Sequence, residues 1–241
     1  MPTVAPTVSK VMAHRGGRHG GAPNTVEAIE HAHRVGAASA EIDVNVTTDG
    51  VLLATHDGIL PGASWITEAT YEDLVANDAD EWSGRRLEDV VGFALSKGMV
   101  AYLDIKAVTP AGLKEIAQIW PAELADHQLV FASARGDVIA WIGDNLDGAA
   151  TSFLYYDPMV DLRSFAGFMA PTFAHPCFDF LRQPFRTMNE SYVERARSLG
   201  FSLVSWSVNE ADEITELDRL GFDFICTDEP ELAAGITGPA N

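Results

Sequence analysis

Short apolar runs alternate with helix-patterned segments along almost the whole chain, and this rhythm narrows the fold more than any other feature. The strand-like runs are "VMAH" (11–14), "SAEIDVNV" (39–46), "VLLATH" (51–56), "MVAYLDI" (99–105), "LVFAS" (129–133), "AATSFLYY" (149–156), "GFMAPTF" (167–173), "FSLVSWSV" (201–208) and "FDFICT" (222–227). Between most of them lie segments with apolar residues at helical spacing, such as "TVEAIEHAHRVGA" (25–37), "LEDVVGFALSKG" (87–98), "ESYVERARSLG" (190–200) and "EADEITELDRLG" (210–221). Several close on glycine, which tolerates the left-handed turn that ends a helix. Repeated strand–helix units predict a parallel sheet with helices outside. About eight units in 241 residues fit a closed (β/α)8 TIM barrel. An open doubly wound sheet would want G-x-G-x-x-G after the first strand, and "HRGGRHGG" (14–21) lacks it.

Residues 58–86 break the rhythm with turn residues and one short helix candidate. We read them as an excursion from one strand–helix connection, placed over the barrel mouth, with 1–241 as a single barrel domain. The excursion carries Ile59, Leu60, Trp65 and Ile66, which suit either a hydrophobic mouth or the packing of the loop itself.

Charge limits the partners. Lys and Arg number 16 against 35 Asp and Glu, a formal net charge of −19. Such a field repels nucleic acid and anionic membranes, so an anionic ligand needs local positive charge. No apolar window is long enough to span a bilayer, and the first residues lack a basic-then-apolar leader, so the expectation is a cytoplasmic protein without membrane insertion. Cys177 and Cys226 are too few for a disulfide framework or a cysteine-rich zinc site. The oligomeric state is left open.

The chemistry concentrates at strand ends. In a strand, residues i and i+2 share a face, so Glu41 and Asp43 project together. Two buried carboxylates on one face repel each other unless a cation lies between them. Asp104 and Lys106 share a face in the same way, and Asp104 can complete a three-carboxylate site suited to Mg²⁺ or Ca²⁺. The competing reading pairs Asp104 with Lys106 as a structural ion pair. His14 and Arg15 end the first strand and His56 closes "VLLATH". Two histidines flanking carboxylates suit proton transfer in both directions, and the Arg15 fork suits a phosphate. His31 and His33, in "EHAHR", sit in a helical pattern where they point roughly 200° apart, which disfavours joint metal binding.

These residues carry a family likeness. His14-Arg15-Gly16, Asn24-Thr25, Gly36-Ala37, Glu41-Ile42-Asp43-Val44, Thr48-Asp49-Gly50 and His56-Asp57 occur in the order found at the start of the glycerophosphodiester phosphodiesterases. Further on, "YLDIK", "VSWSVN" and "GFDFICTDEP" resemble later motifs of that family, so the likeness spans roughly residues 11–233. The resemblance implies a (β/α)8 barrel that hydrolyses glycerophosphodiesters to glycerol 3-phosphate and an alcohol. It implies one divalent cation, Mg²⁺ or Ca²⁺, on Glu41, Asp43 and Asp104. It further implies His14 and His56 as the acid–base pair, Arg15 and Lys106 on the phosphate, and Trp206 lining the pocket, although Trp206 also suits a core position. Two positions depart from the pattern. Pro23 stands where the family usually has Glu, and Asp104 where Glu is common. "LDIK" also resembles the sphingomyelinase D-type phospholipases, which form a cyclic phosphate from choline lipids. A barrel that binds a phosphodiester without cleaving it is the third alternative.

Overall fold

A computed structural model of the chain describes residues 10–61, 64–119, 128–157, 159–179 and 181–238. The strands are β1 (Lys10–Ala13), β2 (Ser39–Val46), β3 (Leu52–Ala54), β4 (Val100–Ile105), β5 (Leu129–Ser133), β6 (Ala150–Tyr155), β7 (Phe173–Pro176), β8 (Ser202–Ser205) and β9 (Phe224–Thr227). Eight of them run parallel in the order β1-β2-β4-β5-β6-β7-β8-β9, and β9 pairs back onto β1 to close the barrel. The expected closed barrel is therefore present. β3 pairs with β2 in the antiparallel sense and stands outside the ring.

The helices are α1 (Val26–Arg34), α2 (Tyr71–Asn77), α3 (Ala79–Trp82), α4 (Leu87–Ser96), α5 (Pro110–Gln118), α6 (Gly136–Asn145), α7 (Leu162–Phe168), α8 (Glu190–Ser198), α9 (Ala211–Leu220) and α10 (Pro230–Thr237). Their starts are chemical. Thr25 accepts a hydrogen bond from the Ala28 N–H at α1, and Thr109 accepts from Gly112 at α5, where Pro110 occupies the first turn. His31 and His33 lie on α1.

Strand alternation divides the core in two. Outward residues such as Ile42, Val44, Leu103 and Phe131 pack against the helices. Inward residues, including Met12, Tyr102, Val130, Phe173, Val204 and Phe224, fill the barrel. This filling ends at the C-terminal strand ends, where polar side chains take over and where barrel sites form.

Three sequence expectations shift. "VLLATH" yields only the three-residue β3, and His56 lies beyond it. "GFMAPTF" is mostly not strand: Gly167 and Phe168 end α7, and β7 begins at Phe173. A short apolar run does not separate strand from helix by periodicity alone. Within 58–86 there is more helix than expected, a single turn at Ile66–Glu68 followed by α2 and α3. Leu53, Ile66, Leu74 and Trp82 form a small core under it, so Ile66 belongs to that packing, whereas Ile59 and Trp65 are about half exposed. The buried Arg85 fastens this segment to the barrel by donating from Nη1 to the Pro23 carbonyl (2.6 Å), while its Nε donates to the Glu81 carbonyl within the segment (3.1 Å).

Candidate active site

The site begins with register. Asp43 on β2 is the direct partner of Asp104 on β4, and Glu41 is the partner of Tyr102. All four point into the barrel. One oxygen from each of Glu41, Asp43 and Asp104 lies within 4.8 Å of the others, and all three residues are buried. The surroundings offset much of this negative charge. Lys106 Nζ lies 3.1 Å from Asp43 Oδ1 and also contacts Asp104. Arg15 Nε lies 3.0 Å from Asp43 Oδ2. Asn24 grips Asp43 twice: its Nδ2 donates to Oδ2 (2.8 Å), and its Oδ1 accepts from the Asp43 N–H (3.0 Å).

The turn after β1 holds this arrangement in place. His14, Arg15 and Gly16 form one tight turn. Arg15 and Asn24 both adopt positive φ, 54° and 63°, which is costly for residues with a Cβ. The Arg15 N–H donates to Glu41 Oε2 (3.0 Å), and the Asn24 N–H donates to the Arg15 carbonyl (2.9 Å). Gly16, at φ 88°, sits so close to α1 that a Cβ would lie 2.6 Å from that of Ala28. Only glycine fits there.

Burial and charge shape the ionisations. Burial and the Asp43 charge push Glu41 up to about 8. Burial also raises Asp104, against the pull of Lys106. Burial would raise Asp43 too, but Lys106, Arg15 and the Asn24 hydrogen bond outweigh it and hold the carboxyl below its usual range. Three carboxylates face two cations, so one negative charge is left uncompensated when all are ionised.

Both histidines have a carboxylate on Nδ1. His14 Nδ1 lies 2.8 Å from Asp228 Oδ1, and Asn209 Nδ2 donates to Asp228 Oδ2 (2.9 Å). His14 Nε2 is 4.0 Å from Glu41 Oε2. His56 Nδ1 lies 2.8 Å from Asp57 Oδ1, in a far more exposed setting. Asn45, next inward after Asp43 on β2, places the His56 segment: its Nδ2 donates to the Thr55 carbonyl (2.6 Å) and its Oδ1 accepts from the Ala107 N–H (3.1 Å).

One cavity of about 180 Å³ joins these groups. His14, Arg15, Glu41, His56, Asp104 and Lys106 line one side; Arg135, Tyr156, His175 and Trp206 line the other. Asp43 lies beneath, fully buried. Trp206 falls just after β8, stands edge-on to Tyr156 (centroids 5.4 Å apart) and is partly exposed to the cavity. Residues 58–86 contribute none of the lining among the described residues. Arg18 and His19 pair with Glu229 instead of entering the site.

The sequence reading did not assign roles to Asn24, Asn45, Asn209 or Asp228. Asn24, Asn209 and Asp228 belong to motifs that carried the resemblance, but an amide or carboxylate in a motif does not say what it touches. Asn45 had a signal of its own, because it continues the inward i, i+2 series of Glu41 and Asp43.

The sequence profile of the glycerophosphoryl diester phosphodiesterase family matches residues 14–232. The chain belongs to this family. A glycerophosphodiester phosphodiesterase of Caldanaerobacter subterraneus subsp. tengcongensis is 24% identical over 94% of this chain and 96% of its own length. Among solved structures, the glycerophosphodiester phosphodiesterase of Parabacteroides distasonis superposes with a TM-score of 0.79 at 23% identity, covering 97% of this chain and 98% of the other. A phosphodiesterase of Oleispira antarctica, solved with its product sn-glycerol-3-phosphate, gives 0.77 at 18% identity, covering 95% and 96%. No helix among the described residues is long and apolar enough to cross a membrane.

Proposed function

We propose that this member of the glycerophosphodiester phosphodiesterases hydrolyses small glycerophosphodiesters with one hard divalent cation and a pair of histidines. The supporting observation is the shared cavity, in which two carboxylate-backed imidazoles and two of the three clustered carboxylates open onto the same space.

The residues present fit a divalent cation. The donor set is all oxygen, Asp43 Oδ1 is buried and faces only the Lys106 ammonium at 3.1 Å among the described residues, and Glu41 remains half protonated near pH 8 without further positive charge nearby. Glu41, Asp43 and Asp104 would hold Mg²⁺ or Ca²⁺. When bound, such an ion neutralises a non-bridging phosphate oxygen and the negative charge that grows in the transition state. A dication also reverses the net charge of the cluster, leaving one positive charge to match a phosphodiester monoanion.

The protein side chains do the rest. Arg15 and Lys106 present their donors toward the phosphate. Each histidine donates its Nδ1 proton to its carboxylate, which leaves Nε2 as the proton-exchanging atom. One histidine takes the proton of the attacking hydroxyl, and the other gives a proton to the departing alkoxide. This inventory is the same whether the attacking oxygen belongs to water or to the substrate's own glycerol.

The test is metal-dependent release of alcohol from glycerophosphocholine and glycerophosphoethanolamine after chelator treatment, with His14→Ala and His56→Ala alongside. We expect turnover in the wild type with Mg²⁺ or Ca²⁺, loss of about 10²-fold or more in each variant, and unchanged melting. Turnover that survives both chelator and either substitution overturns the proposal. Accumulation of a cyclic phosphate from choline lysolipids, seen by phosphorus NMR, would favour the lipid-directed alternative instead.

A further inference from the structure

Across the barrel from the carboxylates, β7 sends His175 into the same cavity. The residue is 1% exposed. Its Nδ1 lies 3.5 Å from both the Tyr102 hydroxyl and Ser152 Oγ, and Trp206 Nε1 donates to its carbonyl (3.3 Å). Its Nε2 is buried without a well-aligned hydrogen bond among the described residues, the ring's backbone contact being a weak one to Ser205. A buried polar atom left unpaired is costly. An unpaired atom at the edge of a cavity is accounted for by a ligand that pairs it.

The chemistry of that ligand group follows from the surroundings. Burial drives the imidazole down to about 3, the Ser205 backbone opposes this only in part, and Lys106 and His14 add to it. The ring is therefore neutral at any physiological pH. The cations of the site, Arg15 and Lys106, both stand on the opposite wall, and the phosphate belongs with them. A neutral ring nitrogen suits a neutral partner. With Tyr102 or Ser152 donating to Nδ1, the ring proton resides on Nε2, which then donates to an oxygen.

We infer that His175 is a specificity residue that binds a hydroxyl of the substrate's glycerol at the floor of the cavity. This inference rests on the functional reading above, since glycerol is the part of the diester that always carries hydroxyls.

The test compares glycerol 3-phosphate with propyl phosphate, which has the same anion and chain length but no hydroxyls. Titration calorimetry with Mg²⁺- or Ca²⁺-loaded protein gives both affinities, and glycerophosphocholine turnover is measured in parallel. The wild type is expected to prefer glycerol 3-phosphate by about 10-fold or more. His175→Leu is expected to erase that preference while holding propyl phosphate affinity within about two-fold, and to lower kcat/KM for glycerophosphocholine by a similar factor. If the Leu variant does not fold, His175→Asn carries the same comparison. A wild type without the preference, a variant that keeps it, or a variant that loses both ligands equally overturns the assignment. Wild-type protein inert toward glycerophosphocholine would instead overturn the functional reading itself.

Discussion

Asp228 Oδ1 lies 2.8 Å from Nδ1 of His14, although 214 residues separate them. The pair joins the start of the barrel to its last strand. His14 holds the carboxyl down at about 2, and burial of His14 is outweighed by Asp228 and Glu41, which raise the imidazole above its ordinary value. Asn209 fixes the far oxygen of the carboxylate, while its own Oδ1 accepts from the Asp228 N–H (2.8 Å).

Replacing Asp228 with Asn removes the acceptor that keeps the His14 proton on Nδ1. We expect kcat for glycerophosphocholine to fall by about 10²- to 10⁴-fold, with metal affinity by calorimetry nearly unchanged. Unaltered turnover in D228N would remove Asp228 from the acid–base machinery.

Metal binding should register as stability. A cation that binds only the folded state stabilises by about 2.7 kcal/mol at 100 times its Kd. For a chain of this size that is roughly 5–10 °C in Tm. Calcium or magnesium titrated into chelator-treated protein should produce this rise in a melting experiment, and Glu41→Gln should abolish it. An equal rise in E41Q would locate the cation elsewhere.

Asn24 permits a test that separates backbone strain from side-chain grip. At φ 63°, glycine relieves strain whereas alanine keeps it. Both remove the two hydrogen bonds to Asp43. Asn24→Gly is expected to lose about 10- to 100-fold in metal affinity with a small change in Tm. Asn24→Ala should lose the same affinity and melt lower as well. If metal affinity is unaffected in the glycine variant, the grip on Asp43 is dispensable.

His175 also gives the acid side of the stability profile a predictable slope. Its folded value of about 3 lies below the ordinary imidazole value of 6.5, so the unfolded chain binds one more proton between those pH values. The stabilisation from keeping the ring neutral is complete above 6.5 and is lost progressively as pH falls toward 3. In that window stability should rise with pH by about 1.4 kcal/mol per unit from this group alone. Urea unfolding from pH 4 to 6 in chelator should show a shallower slope in His175→Asn. Identical slopes would mean that the ring is already protonated in the folded protein.

The barrel was legible because its signal is periodic and repeated, and one misread run does not spoil eight. "GFMAPTF" was misread because Phe168 is apolar yet 75% exposed, so its hydrophobicity said nothing about pairing. The metal-binding candidates were legible because Glu41, Asp43 and Asp104 face inward where a parallel strand should be apolar. What their spacing could not convey was the clamp around them. Asn24 reaches Asp43 across a loop, and Asp228 reaches His14 across the closure of the ring. Such contacts depend on tertiary placement. Likewise, Pro23 did not point to Arg85, because its carbonyl, not its side chain, receives the guanidinium.

Closure of the ring between β1 and β9 has a temporal side. During synthesis His14 leaves the ribosome long before Asp228, which follows only with the final strand of the barrel and its exit. A partly made chain has most of the acidic cluster's surroundings but neither a closed wall nor a properly oriented imidazole. The contact between His14 and Asp228 therefore forms in one late step, after every strand of the barrel has been made.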